Sequence, residues 1–101
     1  MAATVTNAAF FTAQDGYSVA LGARLLALAT PTRNEAGCLR YDIYHSSEDP
    51  NAWFVHEDWR SREEFDAHLR APHVQAFMTE LPALCGQSAK FSAYRRVSRA
   101  A

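Results

Sequence analysis

Cys38-Leu39-Arg40-Tyr41-Asp42-Ile43-Tyr44-His45 alternates between two faces, and the segment after it repeats the pattern. Successive side chains of a strand point to opposite sides, so Leu39, Tyr41, Ile43 and His45 share one face. Cys38, Arg40, Asp42 and Tyr44 share the other. Ser46-Ser47-Glu48-Asp49-Pro50-Asn51 reads as a polar turn. Alternation resumes from Trp53 to Arg60, with Trp53, Val55, Glu57 and Trp59 on one side and Phe54, His56, Asp58 and Arg60 on the other. Two strands joined by so short a polar connection make an antiparallel hairpin.

Working outward from the hairpin, residues 3–12 are rich in β-branched and aromatic side chains and stop before Asp15-Gly16, which predicts a strand ended by a turn. From Tyr17 the period lengthens. Leu21, Leu25 and Leu28 fall at i, i+4, i+7, the spacing of an amphipathic helix. Pro31 interrupts that helix, as a kink or as the start of a second short turn closed by Gly37. Downstream of the hairpin, Ser61-Arg62-Glu63-Glu64 is a capping box that opens a helix bearing Phe65, His68 and Leu69. Ala71-Pro72 breaks and restarts it, and Val74, Phe77, Met78 and Leu81 continue the apolar line until Pro82 and Gly86. Ala89 to Val97 predicts a last strand, with a frayed tail over residues 98–101.

The order β-α-β-β-α-β predicts a ferredoxin-like α+β fold: one domain over residues 3–98, an antiparallel four-stranded sheet, and helices on one face. The opposite face would carry Phe10 or Phe11, hairpin aromatics, and Phe91 or Tyr94. Such a patch calls for a cover, and the expected cover is a second copy of the chain. Composition agrees. The 101 residues are 49% hydrophobic, but 19 of them are alanine, which fills little core volume. A net charge of −1 argues against a nucleic-acid binder. No apolar run is long enough for a membrane span, and the N-terminus lacks a signal-peptide pattern, so a cytoplasmic protein is expected. Cys38 and Cys85 show no CxxC or zinc spacing, so no metal is expected and both read as small buried hydrophobes.

Glu35-Ala36-Gly37-Cys38-Leu39-Arg40-Tyr41 leads through Asn51-Ala52-Trp53 to Glu57-Asp58-Trp59, then to His68 and Ala71-Pro72-His73-Val74-Gln75-Ala76-Phe77. This succession, over residues 4–97, resembles the antibiotic biosynthesis monooxygenase family, a group of dimeric α+β barrel proteins. The family includes quinol and polyaromatic monooxygenases, an isomerase-type enzyme and haem-degrading members. The resemblance implies a homodimer and, for the monooxygenases, chemistry without flavin, haem or metal. There a phenol or quinol loses a proton and the resulting anion reduces dioxygen. The haem-degrading members use a later helix histidine. This chain has none after Phe77, which reads against haem.

His68 matches the family's helix histidine. It reads either as the base that takes the substrate proton or as a structural partner of Glu57. Glu57 shares a face with Trp53, Val55 and Trp59, where a carboxylate needs a partner. Glu57, Trp59, His73, Phe77, Asn51 and Trp53 are the candidate substrate-binding residues, with core packing or turn formation as the plain alternative for each. Three functions compete: an oxygenase on a small phenol or quinol, an isomerase-type enzyme on a small carbonyl compound, and a binding dimer without turnover. An aromatic-lined cavity would favour the first, a polar one the second, and no cavity the third.

Overall fold

The computed structural model describes residues 4–99. Ala3 and the last two tail residues, 100–101, for which a strand start and fraying are expected, lie outside them. The elements are β1 (Val5–Thr12), α1 (Ser18–Arg33), β2 (Cys38–His45), β3 (Ala52–Trp59), α2 (Arg62–Leu69), α3 (Pro72–Leu84) and β4 (Lys90–Tyr94). The sheet order is β2-β3-β1-β4, every pairing antiparallel. This is the ferredoxin-like α+β arrangement expected from the element order, with the second helix split in two at Arg70 and Ala71.

One sheet face carries Ala9 and Phe11 of β1, Tyr41 of β2 and Val55 of β3 against Leu21, Leu25 and Leu28 of α1 and Phe77 and Leu81 of α3. Leu21 and Leu25 are fully buried, as the i, i+4 spacing requires. The other face carries Phe10, Tyr44, Phe54 and Tyr94. Phe10 and Tyr44 stack on the Phe54 ring from either side, with centroids 5.0 and 5.6 Å away. Phe10, Tyr44 and Tyr94 are all about half exposed. Phe11 and Phe91 belong instead to the helix-covered face, where their rings meet edge to face at 5.8 Å.

Four local expectations change. The register of β2 against β3 shifts between Cys38 and Arg40. That bulge adds a residue to β2, so Cys38 packs against the core while Leu39 is 59% exposed, the reverse of simple alternation. Pro31 neither ends α1 nor begins a second turn; the helix runs through it to Arg33. Pro82 lies inside α3, which continues to Leu84. Both prolines stand two residues from the C-terminal end of their helix, so each removes one i→i−4 bond of the ladder and leaves little helix beyond it to disrupt. The last strand is shorter than expected, because only Lys90–Tyr94 finds partners on β1. Among the described residues no helix is long and apolar enough to cross a membrane.

Candidate active site

A cavity of about 340 Å³ lies between the helix-covered sheet face and helices α2 and α3. Its walls are largely apolar, with Phe11, Phe65, Phe77 and Phe91 among them; Asn7, Glu57 and His68 supply polar groups. These three are buried at 3%, 5% and 4% exposure, beside a Trp59 that is wholly enclosed. Buried polar groups cost free energy unless paired, and these are paired. Asn7 Nδ2 donates to Glu57 Oε2 at 3.0 Å, and Trp59 Nε1 donates to Glu57 Oε1 at 3.0 Å. The pleat explains the meeting: Asn7 sits opposite Glu57 in the β1–β3 register, and Trp59 follows Glu57 by two residues on the same face.

His68 stands in the last turn of α2, where the Ser61 cap and the buried Phe65 fix the helix against the sheet. Its ring lies 4.6 Å from the Trp59 ring, centroid to centroid. Nε2 is 3.5 Å from Glu57 Oε1, and Nδ1 is 2.7 Å from Glu35 Oε2. Glu35 therefore outranks Glu57 as its hydrogen-bond partner. Glu35 belongs to the turn between α1 and β2, held by Glu35 N–H to Thr32 O and Cys38 N–H to Glu35 O. Gly37 completes that turn at φ +86°, a conformation suited to glycine, and a Cβ there would run into the Glu64 side chain. A carboxylate only accepts, so the short contact places a proton on His68 Nδ1 and leaves the neutral ring's lone pair on Nε2. His73, in the first turn of α3, directs Nε2 to the same Glu35 oxygen at 2.9 Å.

The field of these carboxylates shows in two neighbours. Burial pushes the Tyr41 phenol well above its ordinary value, and Glu57, Cys38 and Glu35 add to the push. Tyr41, on the cavity wall, thus stays protonated. Burial also raises the Cys38 thiol, with Glu35 and Glu57 acting in the same direction.

Of the residues singled out from sequence, His68, Glu57 and Phe77 line this cavity, while Trp59 backs it and His73 reaches it only through Glu35. Asn51 and Trp53 stand elsewhere. Asn51 Nδ2 donates to Asp15 Oδ1, and Trp53 Nε1 donates to Ser18 Oγ while its ring stacks on His45 at 4.0 Å. Asn51 just precedes β3 and Trp53 stands at its start, near the α1 N-terminus, whereas Glu57 and Trp59 stand toward the end of that strand. Glu35 and Asn7 are the site residues that sequence reasoning did not select. The signal for Asn7 was a polar residue at an inward parity of β1.

A family model described as antibiotic biosynthesis monooxygenase matches residues 4–80. The structure of PA3566 from Pseudomonas aeruginosa superposes with a TM-score of 0.90 at 33% identity, covering 97% of this chain and 98% of that one. Rv0793 from Mycobacterium tuberculosis superposes with a TM-score of 0.92 at 29% identity, covering 98% of this chain and 100% of that one. By sequence, Rv0793 is 40% identical over 62 residues, 61% of this chain and 60% of that protein. Protein sll1783 from Synechocystis is 31% identical over 65 residues, 64% of this chain and 44% of that protein. The chain thus spans about half the length of these curated relatives. With the family model matching most of the chain and the fold shared along nearly all of it, the protein belongs to the antibiotic biosynthesis monooxygenase family.

Proposed function

We propose that this chain is a cytoplasmic, homodimeric monooxygenase that oxidises a small phenol or quinol with dioxygen and needs no cofactor. The cavity carries the reading: apolar, aromatic-walled, about 340 Å³, with a histidine and a carboxylate among its few polar groups. Ligand sites of this size and character suit a flat aromatic. Family membership and the word monooxygenase in the name of Rv0793 support the reaction class.

His68 Nε2 takes the proton of the bound phenol, while Glu35 holds the Nδ1 proton and steadies the resulting imidazolium. The electron-rich anion passes an electron to dioxygen, and the two radicals combine at a ring carbon. The peroxide then breaks: one oxygen atom stays in the quinone product and the other leaves as water. The substrate supplies all four electrons, so the balance needs no outside reductant. The apolar walls keep water from the charged intermediates. The second copy packs on the open sheet face, covering Phe10, Tyr44, Phe54 and Tyr94.

Oxygen uptake by purified protein across a panel of hydroquinones, naphthols and catechols tests this. The expected result is saturable uptake with one substrate class, unaffected by chelators. No uptake above the spontaneous rate with any of them would overturn it.

A further inference from the structure

The geometry points to a second use of the same corner: Glu35, His68 and His73 form a binding site for a divalent transition-metal ion of the zinc class. The oxygenase reading employs Glu35 as the holder of a proton and gives His73 no part. Yet both imidazoles aim a nitrogen at one carboxylate oxygen, at 2.7 and 2.9 Å, and the three ligand atoms all lie within 4.8 Å of one another. Around an ion with bonds of about 2.0–2.2 Å, ligand atoms stand roughly 3.3 Å apart, so the two short edges need open by only about half an ångström. Two imidazoles and a carboxylate suit zinc, iron or nickel rather than calcium or magnesium.

Three features separate this cluster from an accidental one. The ligands come from three elements, each fixed by its own local device: the Gly37 turn, the Ser61 cap and the Pro72 helix start. A ligating histidine ordinarily gives its other N–H to a carboxylate, and His68 Nε2 faces Glu57 at 3.5 Å. Glu57 is in turn held by Asn7 and Trp59. Finally, His68 is buried, but the side chains of Glu35 and His73 are 18% and 24% exposed, so an ion can enter from their side and keep a water as a further ligand. An ion on Nδ1 moves the His68 proton to Nε2, the opposite tautomer to the one Glu35 holds by itself.

Calorimetric titration of the full chain with Zn²⁺ at neutral pH tests the site without any activity assay. We expect one ion bound per chain. His73→Ala and Glu35→Gln should each weaken binding by roughly tenfold or more, whereas His56→Ala, which alters the surface pair with Asp58, should leave it unchanged. Melting curves confirm that each variant is folded, and His73→Asn replaces the alanine variant if that one is not. Nitrogen-15 shifts of His68 in the loaded protein should show Nε2 protonated. The proposal is overturned by the absence of saturable binding, by unchanged affinity in the folded His73 variant, or by a loaded His68 still protonated at Nδ1.

Discussion

His68 Nδ1 lies 2.7 Å from Glu35 Oε2 although 33 residues of sequence separate the two. The contact fixes the tautomer, the ring plane and the direction of the remaining lone pair at once. A carboxylate that orients an imidazole in this way is the arrangement by which hydrolytic triads present a base. Here the imidazole lines a cavity with aromatic walls, its Nε2 3.5 Å from Glu57 Oε1.

His68→Ala should lower turnover by roughly 10²-fold or more, the usual scale for loss of a general base. Stability should fall only modestly, because Glu57 keeps its two donors from Asn7 and Trp59. Steady-state rates and melting curves on the same preparation check both halves. Unchanged turnover with a lower melting temperature would remove His68 from the chemistry. If both fall, His68→Asn preserves a hydrogen bond to Glu35 and separates the two effects.

Glu57→Leu keeps the volume but leaves the Trp59 and Asn7 N–H groups without an acceptor. Each such buried group costs about 1–3 kcal/mol, so urea unfolding should show a loss of roughly 2–5 kcal/mol. Glu57→Gln should cost clearly less, since its oxygen can serve Trp59 while the Asn7 amide turns over to accept from its NH2. Equal losses in the two variants would contradict this hydrogen-bond assignment.

Cys38 reports on the negative field around Glu35 and Glu57. Its thiol is raised first by burial and then by those carboxylates, so it should alkylate more slowly at pH 8 than a free cysteine. Glu35→Gln removes one charge and should speed the reaction. A raised thiol binds its proton more tightly in the folded chain than in the unfolded one. Its contribution to stability is therefore full below the ordinary thiol value and is lost as pH rises through the raised one. Iodoacetamide kinetics across pH, with Cys85→Ser to isolate the signal, measure the shift directly.

Phe54→Lys tests the open face. The Phe10–Phe54–Tyr44 stack forms its centre, and a charge there cannot be buried against a second copy without a partner. Light scattering should give about twice the 11.3 kDa chain mass for the unaltered protein and about one chain mass for the variant. A monomeric unaltered protein would refute the dimer outright.

The hairpin was legible in the chain because alternation, a polar turn and a capping box are all written within a few residues of one another. The same holds for the Leu21–Leu25–Leu28 face of α1 and the break at Ala71-Pro72. From these local signals the element order followed, and from the order the sheet topology. The sequence also carried the inward parity of Glu57 and Trp59, and with it the need for a partner. What it could not carry was which partner. His68 does approach Glu57, Nε2 to Oε1 at 3.5 Å, but Asn7 and Trp59 are the groups that donate to Glu57, and the packing of α2 on the sheet brings His68 Nδ1 to Glu35, in the turn before β2. Likewise one extra residue at the β2 bulge exchanged the sides of Cys38 and Leu39, since a single-residue shift inverts every side chain beyond it. Trp53 shares a strand with the site and Asn51 just precedes it, yet at about 3.3 Å of rise per residue Trp53 stands some 20 Å from Trp59. Local pattern therefore settled which elements form and, outside the β2 bulge, which faces of the hairpin strands turn inward. The meeting of Glu35, His68 and His73 depended on how three separate elements pack, a relation that no spacing along the chain encodes.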